Sequence, residues 1–234
     1  MKQALSGHLA RSLGMVLLAG LVGFSLAGCL APTPAGSDAL AAQTADGGPR
    51  DEAPQGLRAE PARPERPAPS LPLVDQNGQP WSLDQARGQA ILLFFGYTHC
   101  PDYCPQTLSV LGQLRRELGA EADRLRVVMV SADPERDRPE VLAAYLGDHA
   151  PGDIGLTGDL GAVTLLADAF GAEFHKDPVR LAGGAPADDG DYTVTHTGRL
   201  YLIDPQGQIR GSYLGALSTA DLAHDLHLVL GVTP

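Results

Sequence analysis

The sequence predicts an α/β domain: a central mixed β-sheet flanked by helices, with an added hairpin. Three observations carry this. Short apolar runs at 90–96 and 125–130, rich in Val, Leu and Phe, read as buried strands. Leucines at helical spacing follow the first of them, at Leu108, Leu111, Leu114 and Leu118. The chain closes on extended stretches around Asp204-Pro205-Gln206-Gly207 and a last amphipathic helix.

The N-terminus reads as an export signal over residues 1–29. Lys2 and Arg11 supply positive charge, Ser12 to Ala27 is apolar apart from small residues, and the stretch ends in Leu26-Ala27-Gly28-Cys29. With Cys in the fourth position, this resembles the bacterial lipoprotein box, which implies cleavage before Cys29 and lipid attachment to Cys29. The alternative is an uncleaved anchor, since Leu13 to Leu30 is near the lower limit of a spanning length. Both readings place the remainder in the cell envelope, on the extracytoplasmic side of a membrane.

Residues 30–70 are dominated by Pro, Ala and Gly, as in Pro61-Ala62-Arg63-Pro64-Glu65-Arg66-Pro67. Without apolar periodicity this tract reads as a disordered linker. At full extension it would reach on the order of 100 Å, a tether that lets a domain search above a bilayer.

The globular domain is expected over 71–234. Asn77-Gly78 between short extended runs signals a hairpin. After the strand at 90–96 come a helix over 105–119, a strand at 125–130 and a helix over 138–146. A short strand at 154–157 precedes a helix from Asp159 to Phe170, which Gly171 ends. Residues 175–191, rich in Gly, Asp and Pro, read as a long loop. Strands follow at 192–195, 199–203 and 209–214. Ser218 then caps a helix that runs to Leu230. The formal charge of −11 argues against a nucleic-acid partner, which a basic patch would announce.

Chemistry concentrates in Gly96-Tyr97-Thr98-His99-Cys100-Pro101-Asp102-Tyr103-Cys104-Pro105, where a strand ends and a helix begins. Free N–H groups and the helix dipole stabilise a thiolate there. This strand–Cys-x-x-x-Cys–helix unit looks like a thioredoxin-like fold with one extra residue between the cysteines. The chain has three cysteines. If lipid consumes Cys29, only Cys100 and Cys104 remain, on what reads as an exposed turn. A bridge across so short a loop would contribute little loop entropy, so reactivity or metal binding is the better account.

Two thiolates make a soft site suited to copper or zinc. Structural zinc wants four ligands, whereas one histidine would complete a trigonal copper set. His99 adjoins Cys100, and successive residues rarely converge on one ion. His149 and His175 lie in polar surroundings, and His224 and His227 share a helix face. His196 follows a β-rich stretch, in a loop that a thioredoxin-like fold would turn toward the cysteines.

The chain resembles the Sco/SenC family of copper-binding cytochrome c oxidase assembly proteins. The 96–105 motif carries the resemblance, together with Asp133-Pro134-Glu135-Arg136-Asp137 and the stretch from Tyr192 through His196 and Thr197 to Asp204. The resemblance implies Cys100, Cys104 and His196 as ligands of Cu(I) or Cu(II). It also implies a membrane-tethered chaperone that delivers copper to the oxidase subunit carrying the copper site, CuA in particular. Another periplasmic copper chaperone would be the donor. Thr195 stands where many members have Asp, which removes a carboxylate beside the histidine. Asp133 is expected either to support the site or to cap the helix that follows it.

Three rivals remain. The cysteines could act as a thiol–disulfide oxidoreductase on the oxidase's own thiols, a role that would not need His196. A peroxiredoxin-like peroxidase shares the fold but lacks its Thr/Ser spacing here. The plainest alternative is a surface lipoprotein with a stabilising disulfide.

Overall fold

The computed structural model describes residues 56–179 and 192–232. Its strands are β1 Glu60–Pro67, β2 Leu73–Asp75, β3 Pro80–Trp81, β4 Ala90–Gly96, β5 Leu125–Ser131, β6 Ile154–Thr157, β7 Phe174–Pro178, β8 Tyr192–His196, β9 Arg199–Ile203 and β10 Gln208–Leu214. Its α-helices are α1 Tyr103–Leu118, α2 Pro139–His149, α3 Leu160–Phe170 and α4 Thr219–Leu230. Eight strands form one sheet in the order β1-β10-β9-β4-β5-β6-β2-β3, and β7 and β8 form a separate ribbon. β4, β5 and β6 run parallel, and the pairings of β9, β10, β1, β2 and β3 are antiparallel. This is the mixed, helix-flanked sheet of a thioredoxin-like domain.

β4 is buried along its whole length, as a central parallel strand covered on both faces must be. Its side chains alternate between two cores. Leu92 and Phe94 meet Leu108, Leu111 and Leu114 of α1 and Leu222 and Leu226 of α4. Ile91, Leu93 and Phe95 meet Val163, Leu166 and Phe170 of α3. Each such leucine contributes on the order of 2 kcal/mol by leaving water. Asp159 caps α3 through a bond from the Gly161 N–H, and Gly171 ends it at φ 66°. Ser218 accepts from the Asp221 N–H at the start of α4.

The structure departs from two expectations. The proline-rich tract read as linker contributes β1 over Glu60–Pro67, paired with β10 at the sheet's edge. Prolines lack N–H donors, and an edge strand tolerates that loss. A buried carboxylate fixes the segment just before β1. Asp225 accepts from the N–H groups of Arg58 and Ala59 and from the Tyr213 hydroxyl. Long-range contacts of this kind leave no trace in composition. Residues 30–55 and Cys29 lie outside the described residues. The second departure is at 175–178, expected as the start of a long loop and found within β7, Phe174–Pro178. Its Lys, Asp and Pro residues have low strand propensity, and pairing with β8 overrides them.

Candidate metal centre

The site forms where β4 hands over to α1. Gly96 ends the strand, and the chain turns through a bond from the Cys100 N–H to the Tyr97 carbonyl. α1 begins at Tyr103, so Cys100 precedes the helix and Cys104 lies in its first turn. Pro105 costs α1 nothing, because the N–H groups of a first turn have no partner within the helix. Cys104 shares the buried stripe of Leu108 and Leu111, so the periodicity that packs α1 also aims its sulfur inward.

The pair is less accessible than an exposed turn would make it. Cys104 is 0% exposed and Cys100 8%. Gly96 has no side chain because there is no room for one: a Cβ there would sit 2.6 Å from Cys104 Sγ. Cys100 and Cys104 are not joined in a disulfide.

His196 is the last residue of β8. The ribbon register, Phe174 against His196, is closed by the bond from the Thr197 N–H to the Glu173 carbonyl. This brings His196 Nε2 to 4.0 Å from both sulfurs. The three donor atoms lie within 4.8 Å of one another. A trigonal ion with bonds of about 2.3 Å to sulfur and 2.0 Å to nitrogen would set sulfur–nitrogen edges of about 3.7 Å. The donor triangle therefore fits a three-coordinate ion with little movement, and its soft sulfurs suit copper.

The two thiols differ electrostatically. The Cys100 thiol is drawn down to about 4, chiefly by the hydrogen bond from Cys104 and further by His196 and the Cys104 N–H, against the opposing effect of burial. That N–H lies 3.4 Å from Cys100 Sγ. Cys104 is pushed far up, because its proton is held against the Cys100 thiolate and because it is buried. Cys100 is thus the more acidic of the two, and a proton shared by the pair is held on Cys104.

His196 Nδ1 is buried and has no hydrogen-bond partner among the described residues, in keeping with Thr195 in place of a carboxylate. Rings orient the imidazole instead. Tyr97 and Tyr103 meet it edge-on, with centroids 5.9 and 5.6 Å away. The sequence reading missed both tyrosines, although each stands inside the cysteine motif.

The second motif supports the site from behind. Asp133 is fully buried and does not cap α2, whose N-cap is Arg138. It pairs with Arg136 and accepts from the Tyr192 hydroxyl. Asp137 accepts from the N–H and hydroxyl of Thr98 and from Ser131. Among the described residues, the other histidines do not join the centre. His224 bonds the Gly56 carbonyl, His227 meets Glu121, His175 lies beside Asp177 and His149 bonds the Tyr145 carbonyl.

The family model described as SCO1/SenC matches residues 60–231. The chain belongs to the SCO1/SenC family. A Stutzerimonas stutzeri protein described as a candidate copper-binding protein is 41% identical over 167 residues, covering 71% of this chain and 78% of that one. The mouse mitochondrial SCO2 homolog is 37% identical over 143 residues, 60% of this chain. The match spans 53% of the mouse protein, about half its length. Among solved structures, Bradyrhizobium japonicum ScoI with copper bound superposes with a TM-score of 0.61 at 32% identity, covering 70% of this chain and 99% of that one. The SCO1/SenC match begins at Glu60, so it includes β1.

Proposed function

We propose that this SCO1/SenC protein is a membrane-tethered copper chaperone acting in cytochrome c oxidase assembly, with the CuA site as destination. One observation carries the reading: two buried sulfurs and one imidazole nitrogen converge within 4.8 Å on a fold built around them. Cys100, Cys104 and His196 hold copper. Two thiolates favour Cu(I), and the imidazole extends the set to Cu(II). Copper is the cargo and leaves by ligand exchange. An incoming thiolate of the oxidase subunit bonds the metal as one of the three donors releases it, without net redox change. Cys29 carries the lipid that tethers the domain in the envelope. Among the described residues no helix is long and apolar enough to cross a membrane.

The deciding experiment is Cu(I) competition titration plus visible absorption with Cu(II), on wild type, Cys100→Ala, Cys104→Ala and His196→Ala. Either cysteine variant should lose most Cu(I) affinity. His196→Ala should keep part of it but lose Cu(II) and its thiolate-to-copper band. If His196→Ala binds both copper states like wild type, the assignment of His196 fails. N-terminal mass spectrometry should find a diacylglyceryl group on Cys29, and an intact Gly28-Cys29 peptide would refute the lipid anchor.

The low Cys100 pKa supports a second reading, thiol–disulfide exchange on the oxidase's own cysteines. Cys100 thiolate would attack a target disulfide, and Cys104 would resolve the mixed disulfide, leaving the target reduced and this pair oxidised. In that case His196→Ala would leave exchange rates nearly unchanged.

A further inference from the structure

Strand β7 has an open outer edge. Antiparallel registers alternate bonded and non-bonded pairs. The Thr197 N–H donates to the carbonyl of Glu173, its opposite in the register, so 175/195 and 177/193 are the next bonded pairs. Phe174 and Lys176 therefore turn their N–H and C=O groups away from β8. On the far side of β8 the Tyr192 carbonyl accepts from Arg136. The outward groups of Phe174 and Lys176 have no hydrogen-bond partner among the described residues. Pro178, without an N–H, ends the open edge.

Edge strands are usually blunted, and a lysine is a common means. Lys176 leaves this one open, because its ammonium is drawn aside to Glu135 at 2.6 Å and over the Tyr192 ring at 4.7 Å. Beside the edge runs a groove of about 350 Å³, lined by Phe174 and Lys176 of β7, Leu160 and Thr164 of α3, and Ala132 and Pro134 after β5. Its lining is mostly apolar, and Leu160 is 44% exposed. A smaller hollow of about 140 Å³ continues it toward Ala172, sharing Thr164 and Phe174. Asp168 and Glu173 line that end, both exposed and neither paired with a cation among the described residues.

Unpaired backbone groups beside an apolar groove select an extended peptide. Main-chain bonds to the edge supply affinity, and alternate side chains supply specificity. The larger hollow is lined by residues 174 to 176 of the β7 side and the smaller by 172 to 174, an offset of two residues. Side chains two apart on a strand share a face. An apolar residue and a Lys or Arg two positions away therefore match the apolar groove and its acidic end together.

We propose that the open edge of β7 docks an extended segment of a partner polypeptide, carrying an apolar residue and a basic residue at i and i+2. The segment adds a third strand to the ribbon that ends in His196. Three strands hold where two are marginal, so docking braces the ribbon that supplies this side chain to the metal centre. The groove takes its strand with or without copper, and the test therefore bears on docking alone.

The test titrates the reduced, copper-free full chain with the synthetic peptide acetyl-Thr-Leu-Thr-Lys-Thr-amide, read by NMR. The amide signals of Phe174 and Lys176 should shift, with a Kd on the order of 1 mM. Replacing the peptide's Lys by Glu should weaken binding about fivefold at low salt. N-methylating one alternate set of the peptide's amides should abolish binding, and N-methylating the other set should leave it, since only one set faces β7. Lys176→Pro removes an outward N–H and spares the bonded pairs, so it should abolish binding. Lys176→Ala keeps that N–H and should bind within about threefold of wild type. Three results would overturn the proposal. The first is no shift at Phe174 and Lys176 with about 10 mM peptide. The second is binding indifferent to both N-methylated sets, which would mean apolar contact without strand pairing. The third is slow hydrogen exchange at Phe174 and Lys176 without peptide. In a monomer that would show the edge covered by this chain, and in a dimer by a second copy.

Discussion

The Tyr192 hydroxyl donates to Asp133 Oδ1 across 2.8 Å. The loop after β5 thereby holds the first residue of the strand whose last residue is His196. Arg136 completes the clamp. It pairs with Asp133, donates to the Tyr192 carbonyl at 3.1 Å and stacks 3.7 Å from that ring's centre. The second sequence motif thus reaches the metal centre through the ribbon, without offering a ligand.

Unequal costs follow for the two partners. Tyr192→Phe should cost about 1 kcal/mol, one hydrogen bond, because Arg136 keeps its other contacts. Asp133→Ala should cost about 3 kcal/mol, since it leaves the Arg136 charge without its partner. Urea melts of the copper-free protein would measure both, and equal costs would contradict the clamp.

Gly96 separates space from backbone freedom. A Cβ there would lie 2.6 Å from Cys104 Sγ and 3.0 Å from the Phe94 ring, so Gly96→Ala must displace the sulfur or the strand. Overpacking of this kind costs about 1–3 kcal/mol. The expected outcome is a folded variant with Cu(I) affinity lowered at least tenfold. Wild-type affinity would mean that the sulfur has room to move.

The thiol pair sets a pH dependence for the reduced, copper-free protein. Cys100 titrates near 4 when folded, against 9.0 for an ordinary thiol. Between those values the unfolded chain holds a proton that the folded chain lacks, so this group's contribution is fully present above 9 and fades as pH falls toward 4. Cys104 has the opposite sign. Its folded pKa is raised, so its contribution is present below 9 and is lost as pH climbs further. Stability from the pair should therefore peak near pH 9. At pH 6 a thiol alkylating reagent should modify Cys100 first, as peptide mass spectrometry would show. Equal labelling of Cys104 would refute the asymmetry.

The buried Asp225 carboxylate ties Arg58 and Ala59 to α4 through bonds of 2.7 and 2.8 Å. Asp225→Ala strands two N–H groups and the Tyr213 hydroxyl, a loss of about 3 kcal/mol. That corresponds to a fall in Tm of roughly 6–12 °C for a domain of this size. Proteolysis should also begin to cut near β1. An unchanged Tm would show that the segment before β1 adds nothing to the fold.

Much of this protein was decided locally. Alternation and helical spacing place β4, β5, α1, α3 and α4 within a few residues of their observed bounds, because each pattern reports a single element's own face. The cysteine spacing, the junction it occupies and the three ordered motifs are equally local. Only the tertiary structure decided how those pieces meet. The contacts of His196 with Cys104 and Cys100 span 92 and 96 residues, and they depend on the ribbon register. β1 exists because β10 offers an unpaired edge, and β7 exists because β8 lies beside it; neither segment has the composition of a strand. The burial of the sulfurs, the rings that hold His196 and the Asp137–Thr98 hydrogen bonds are likewise products of convergence. Local periodicity encodes which side of an element faces inward. It carries no information about which distant side chain will be waiting there.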